Sequence, residues 1–235
     1  SIVPYYKIQR KRTTCMKTAF IFDMDGLLLD SEHLWRKAET ACFRDVGIQL
    51  TAADCELTMG MRIDEVVAFW AQKYPRKLQG TAGSELPDKI VSQMEWHIKN
   101  EAEPLPGALE LIRFAVSRQI PCAIASSSYS LLVEAFAEKF DLKSKIPCRV
   151  SAQNLKYGKP HPEIFIYTAQ KLNVPANCCV VFEDSINGVI AAKAAKMKCV
   201  AVPEPAQMNN SKFSIADEIQ PDLSSYLKQI KSEYA

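Results

Sequence analysis

The apolar and polar positions of this chain fall into two kinds of segment. Between residues 32 and 103 the apolar positions recur at helical spacing, as in Ile63, Val66, Val67 and Trp70, and again in Ile90, Val91, Met94 and Ile98. Helices are expected from Ser31 to about Val46, with Ser31 as N-cap and Gly47 past the end, from Arg62 to Lys73, and from about Leu86 to Lys99. A turn of small and polar residues precedes Gly60, and residues 75–83, with a proline and two glycines, read as a loop. Elsewhere short apolar runs read as buried strands: Thr18 to Phe22, Pro121 to Ala125, a brief one at Arg149-Val150, Cys178 to Phe182, and Lys198 to Val202. After Pro104-Leu105-Pro106-Gly107 these strands alternate with helical segments at 107–118, 130–139, 162–172, 185–196 and 223–231.

Strand–helix alternation predicts a parallel sheet with helices on both faces. The first strand belongs to that sheet by character, yet a helical stretch of about seventy residues, 32–103, separates it from the rest. The expected architecture is therefore an α/β, Rossmann-like doubly wound core over residues 16–31 and 104–235. An α-helical cap domain over 32–103 is inserted after strand one, with hinges near Ser31 and Pro104. Residues 1–15 are expected to form a poorly ordered basic terminus, because Lys7, Arg10, Lys11 and Arg12 all precede the first acid, Asp23.

Composition narrows the function classes. The chain has 235 residues, 48% of them hydrophobic and 24% charged, the balance of a globular protein. A net charge of +2 argues against nucleic acid or an anionic membrane as partner. No apolar run approaches the ~20 residues of a membrane span. The eight cysteines are scattered and lack CxxC spacing; several sit inside apolar runs, which favours a reducing, cytoplasmic setting.

The polar residues where strands end carry the candidate chemistry. Asp23 and Asp25 follow the first strand, and Gly26 follows them. Taken alone, the pair reads equally well as the start of a polar turn. Ser126, Ser127 and Ser128 follow the second strand, as a turn and helix cap or as donors to an anion. Lys159 is held between Gly158 and Pro160, and Glu183-Asp184 follow a later strand. Open parallel sheets bind ligands at the carboxyl ends of their strands, so all four sites are expected on one rim. Carboxylates suit Mg²⁺, a lysine and hydroxyls neutralise phosphoryl oxygens, and paired aspartates supply a nucleophile and a proton carrier. Together they point to phosphoryl transfer on a small phosphorylated metabolite.

The segments Phe22-Asp23-Met24-Asp25-Gly26-Leu27-Leu28-Leu29-Asp30-Ser31-Glu32, Gly158-Lys159-Pro160-His161-Pro162 and Phe182-Glu183-Asp184-Ser185-Ile186-Asn187-Gly188 resemble the haloacid dehalogenase superfamily. They are most similar to its helical-cap subgroup, which includes beta-phosphoglucomutases and small sugar phosphatases. Gly60-Met61-Arg62-Ile63-Asp64 and Val202-Pro203-Glu204-Pro205 resemble hexitol and 2-deoxyglucose-6-phosphate phosphatases. The resemblance implies Asp23 as nucleophile forming an aspartyl-phosphate, and Asp25 as general acid and base. Mg²⁺ would be held by Asp23, the Asp25 carbonyl and Asp184. Ser126, the Ser127 N–H and Lys159 would hold the phosphoryl group, and Glu183 would orient Lys159 or a metal-bound water.

The expected activity is a Mg²⁺-dependent sugar-phosphate phosphatase working as a monomer. Pseudouridine 5′-phosphate hydrolysis, a beta-phosphoglucomutase-type reaction, and ester binding without catalysis are the alternatives. Mutases of the subgroup carry a histidine one turn past the position of Ser31; here Trp35 stands there and His33 two residues earlier, which favours hydrolysis. In the cap, Arg62 is expected to reach the leaving group, and Glu32, Trp35 and Trp70 to line the entrance, with cap core the alternative for both tryptophans and the stronger one for Trp70. His161 is taken as structural.

Overall fold

The computed structural model describes residues 18–232, so the basic N-terminal segment lies outside it. The chain enters through β1 (Ala19–Phe22) and leaves the sheet for five helices: α1 (Glu32–Asp45), α2 (Ala52–Glu56), α3 (Ile63–Lys73), α4 (Thr81–Ser84) and α5 (Leu86–Asn100). It then continues through α6 (Ala108–Ser117), β2 (Cys122–Ser126), α7 (Ser130–Lys139), β3 (Cys148–Ser151), α8 (Glu163–Leu172), β4 (Cys179–Glu183), α9 (Ile186–Ala194), β5 (Lys198–Ala201), β6 (Glu218–Ile219) and α10 (Leu223–Lys231). No helix among the described residues is long and apolar enough to cross a membrane.

The sheet runs β3-β2-β1-β4-β5-β6, every neighbour parallel. β1 sits at its centre, paired with β2 and β4, which brings the tips of all three together. Buried on both faces, each central strand divides its side chains by alternation. Phe20, Phe22, Val180, Phe182 and Val200 join one apolar cluster, while Ala19, Ile21, Cys179, Val181 and Cys199 join the other. On the first face the rings of Phe22 and Phe182 stack with centroids 4.9 Å apart, and Tyr226 of α10 meets Phe182 edge-on.

Two helices escaped the sequence pattern. α2 is too short to show a period, yet Thr51 and Asp54 form a reciprocal capping box that holds it. α4 is a single turn within the segment read as a loop. β6 has two residues, too few for alternation to register. Ser31 also departs from expectation: it stands at the N-cap of α1, but its side chain makes no cap bond.

The helical insertion joins the sheet through two adjacent strands of chain. Asp30 N–H donates to the Glu103 carbonyl and Leu105 N–H to the Leu28 carbonyl, at 2.9 and 3.1 Å, and Leu29 pairs antiparallel with Pro104. α5 packs against α1 and α3 within the insertion and against α7 of the core. Lys139 of α7 donates to the Ile98 and Ala102 carbonyls, satisfying acceptors left over at the end of α5.

Candidate active site

β1 hands its polar continuation to the middle of the carboxyl rim. Phe22 is in register with Ile124 of β2 and Phe182 of β4, so Asp23 emerges beside Ala125 and Glu183. Its N–H still donates to the Phe182 carbonyl at 3.0 Å. A tight turn follows, with the N–H groups of Leu28 and Leu29 bonded to the Met24 carbonyl. Gly26 in this turn has φ +73°, and a Cβ there would lie 2.1 Å from Asp184 Oδ2. Both the backbone conformation and the space demand glycine.

Asp23, Lys159, Glu183 and Asp184 form the buried centre. Lys159, 2% exposed, donates from Nζ to Asp23 Oδ1 at 2.6 Å and to Glu183 Oε1 at 2.5 Å. The second Glu183 oxygen accepts from the hydroxyl and N–H of Ser185. A Cβ at position 188 would strike this carboxylate, which explains Gly188. Glu183 therefore holds Lys159 in place with both oxygens occupied. Asp184 differs: it is 2% exposed and its Oδ2 has no hydrogen-bond partner.

Charge does not balance within this centre. Carboxylate oxygens of Asp23, Glu183 and Asp184 lie within 4.8 Å of one another, and Lys159 is the ammonium among them. Three acids against one base leave an excess of two negative charges. Burial, opposed by Lys159 and reinforced by Glu183 and Asp25, pushes the Asp23 carboxyl up to about 8. Burial, then Glu32, Glu183 and Asp23, push Asp184 well above the carboxylate range. Burial alone would lower the Lys159 pKa, but Asp23 and Glu183 outweigh it and hold the ammonium charged. The orphaned Asp184 oxygen, the side-chain-free space at Gly26 and the missing two positive charges fit a divalent cation bound by oxygens.

Removing the ammonium should expose that imbalance. Lys159→Met is expected to destabilise the protein by about 3–5 kcal/mol, the cost of stripping the partner from a buried ion pair. Denaturant unfolding measures it, and an unchanged midpoint would refute the ion-pair account.

Asp25 sits beside this centre, half-buried, in a cradle of neutral donors. Ser31 Oγ at 2.7 Å and Trp35 Nε1 at 2.8 Å both donate to Oδ1, and Ser128 Oγ donates to Oδ2 at 2.6 Å. The Ser31 hydroxyl is thus drawn to Asp25 instead of capping α1. Ser126, 1% exposed, accepts the Ser128 N–H on its hydroxyl at 3.0 Å, which fixes the turn after β2. The Ser127 hydroxyl donates to the Gly60 carbonyl at 2.8 Å and so links core to cap.

One cavity joins these groups to the cap. Asp23, Asp25, Ser126, Ser127, Ser128 and Asp184 line it from the core; Glu32, Trp35, Arg36, Glu39, Cys55, Glu56 and residues 58–61 line it from the cap. Half-buried Glu32 is pushed up to about 8 by burial, then by Asp25 and Glu204. Trp70 is wholly buried within the cap, and His161 packs on Tyr157 with ring centroids 4.5 Å apart.

Lys159 and Glu183 lie behind the cavity wall, bonded to its lining residue Asp23 or to each other, whereas Arg62, expected at the leaving group, is turned away from the cavity altogether. Its Nε and Nη2 grip Asp64 at 3.1 and 2.9 Å, Nη2 also reaches Glu65 at 3.4 Å, and Nη1 donates to the Ala152 and Leu155 carbonyls. All three of its nitrogens are committed, and they tie the cap loop to the core loop after β3. Asn187 Nδ2 donates to the Met59 carbonyl of the same loop, and Gly158 N–H donates to Glu65 Oε1 in the first turn of α3. Arg62→Ala is expected to loosen this closure and lower kcat/KM by about 10- to 100-fold, the worth of lost charge-assisted hydrogen bonds. Steady-state kinetics reads it; unchanged kinetics would show that the latch has no bearing on turnover.

Sequence reasoning missed Arg36 and Glu39, and it missed that Ser31 and Ser128 donate to Asp25. Arg36 and Glu39 were legible in principle, because residues 32, 36 and 39 share one helix face at i, i+4 and i+7. The hydroxyl roles were not, since they depend on how two distant turns meet.

The description "haloacid dehalogenase-like hydrolase" matches residues 17–196. Hexitol phosphatase B of Escherichia coli K12 is 36% identical over 201 residues, covering 85% of this chain and 89% of that protein. The probable pseudouridine-5′-phosphatase of Drosophila melanogaster is 32% identical over 226 residues, covering 94% of each. Among solved structures, the beta-phosphoglucomutase of Clostridium difficile superposes with a TM-score of 0.77 at 25% identity, over 93% of this chain and 99% of that one. The six-stranded parallel sheet, the strand-end acids and these matches agree, and the chain belongs to the haloacid dehalogenase-like hydrolase family.

Proposed function

We propose that this hydrolase cleaves phosphate monoesters of small sugars or sugar alcohols through an aspartyl-phosphate on Asp23. The observation that carries the reading is the buried Asp23–Lys159–Asp184 centre opening on the same cavity as the triply held Asp25. The hexitol phosphatase and pseudouridine-5′-phosphatase similarities support the ester class.

The Asp23 carboxylate attacks phosphorus as the bond to the leaving oxygen breaks. Asp25 gives its proton to that oxygen, then accepts one from the water that hydrolyses the acyl-phosphate. Lys159, Ser126 and the Ser127 N–H hold the phosphoryl oxygens. Asp23, Asp184 and the Asp25 carbonyl would hold Mg²⁺, which when bound neutralises charge on the phosphoryl group. Hydrolysis is favoured over phosphoryl return to the substrate by Trp35, whose indole donates to Asp25 from the helix position where mutases of the family carry a histidine.

The test is phosphate release from hexose, hexitol, 2-deoxyhexose and pseudouridine phosphates, with and without chelator. Turnover that survives full chelation, or no turnover of any ester, would overturn the reading.

The metal assignment has its own signature in stability. Asp23 and Glu32 titrate near 8 in the folded protein against ordinary values of 3.8 and 4.5. Raised folded values mean that their contribution to stability is complete below about pH 4 and is lost as pH rises toward 8. Mg²⁺ requires the ionised carboxylates. The rise in Tm on adding Mg²⁺ to chelator-treated protein is therefore expected to be larger at pH 8 than at pH 5.5. An equal rise at both would count against Asp23 as a ligand.

A further inference from the structure

Glu39 lies on α1 one turn beyond Trp35, about 6 Å further along the helix axis from the residue that touches Asp25. It is 8% exposed, it lines the cavity, and its Oε2 has no hydrogen-bond partner. Burial pushes the carboxyl up to about 7, opposed by a hydrogen bond from the Cys55 thiol and, more weakly, by Arg36. The cap side of the cavity mixes apolar Met61, Ile63 and Val66 with polar Arg36, Glu56 and Thr58. A buried carboxylate oxygen left unpaired costs about 1–3 kcal/mol or more. The Cys55 contact leaves Oε2 without a partner, and the chemistry at Asp23 does not use it. In its ionised form the carboxylate only accepts, so the partner missing from Oε2 is then a donor, whose hydrogen bond would itself favour that form. The cavity connects that acceptor to the phosphoryl site.

We infer that Glu39 is a specificity-determining residue, whose Oε2 accepts a hydrogen bond from a hydroxyl of the substrate's leaving group. The ligand class is then a monoester with hydroxyls remote from the phosphoryl oxygen, a polyol or sugar phosphate in preference to a plain alkyl phosphate. This rests on the phosphatase reading above and adds which residue reads the carbon skeleton. Glu39 does not touch the reacting atoms and is not placed among the catalytic groups.

The test compares sorbitol 6-phosphate with hexyl phosphate, equal in carbon count but without hydroxyls. In the Mg²⁺-loaded enzyme, Glu39→Leu is expected to lower the ratio of kcat/KM for sorbitol 6-phosphate over hexyl phosphate by about 10- to 100-fold, the worth of one hydrogen bond to a charged group. Glu39→Gln, which keeps an acceptor oxygen, should recover part of that ratio. Calorimetric binding of the same two esters to Asp23→Asn protein, with and without Glu39→Leu, should show the same selective loss. A ratio unchanged in both assays would overturn the inference while leaving the phosphatase reading intact. Selective loss in binding without turnover of either ester by the parent enzyme would support Glu39 and sink the phosphatase reading. Removing an unpaired buried carboxylate should also leave Tm equal or higher; a lower Tm would assign Glu39 to folding and overturn the inference.

Discussion

Asp23→Asn is expected to lower kcat by about 10⁴-fold or more, because the amide has the shape of the carboxylate but cannot act as the anionic nucleophile. Phosphate release under saturating substrate measures it. The substitution has a second consequence that separates lost chemistry from lost fold. It removes one of three buried acids that face a single ammonium, and Asp23 carries a pKa raised by burial to about 8. The amide oxygen still accepts from Lys159. Chelator-treated Asp23→Asn protein should therefore melt higher than the parent at pH 8, with the difference shrinking as pH falls and the parent's acid takes up its proton. Inactivity with a raised Tm is the expected pair. Retained phosphate release, or a phosphoryl group trapped on another residue, would sink the assignment of Asp23 as nucleophile.

Asp25→Asn should produce a different defect. Loss of a general acid and base typically costs about 10²–10⁴-fold, and here both halves of the reaction lose the same group. The first half needs the acid only when the leaving oxygen is basic. With p-nitrophenyl phosphate, whose leaving group departs unprotonated, the acyl-phosphate should still form and then stall for want of a base. Rapid mixing should show a burst of p-nitrophenol near one equivalent, followed by slow turnover; Asp23→Asn should show no burst. The cradle around Asp25 makes this expectation specific. Ser31, Trp35 and Ser128 donate to its two oxygens, and the replacement amide nitrogen cannot accept from any of them. The amide is expected to keep Ser31 and Trp35 on its oxygen and lose Ser128, so the position of the side chain changes little. Absence of a burst would mean that Asp25 serves the attack itself.

The outcomes of these two variants depend on features that differ in how visible they are along the chain. The strands that position Asp23, Ser126 and Asp184 are short apolar runs ending in polar residues. Burial on both faces leaves no other sequence for them, so the runs and their ends could be read directly. The same holds for α1, α3 and α5, whose periods follow from having one face inside the cap. Helix α2 and strand β6 were invisible because they are too short for a repeat to show.

Legible along the chain alone were the alternation of strands and helices, the insertion after β1, the acids and serines at strand ends, and the lysine on the loop before α8. These are local properties, set by burial and by the cost of leaving a charge at the tip of an apolar run. How the charges are shared was settled by the folded arrangement. It set Lys159 between Asp23 and Glu183 and left Asp184 with an unpaired oxygen. It turned Ser31 from a helix cap into a donor to Asp25, and it drew Arg62 away from the cavity into a latch between cap and core. The reason is reach. Lys159 finds Asp23 across 136 residues of chain, and Arg62 finds the Leu155 carbonyl across 93. Such choices are made by distance and desolvation in the folded protein, and neither is written in spacing along the chain.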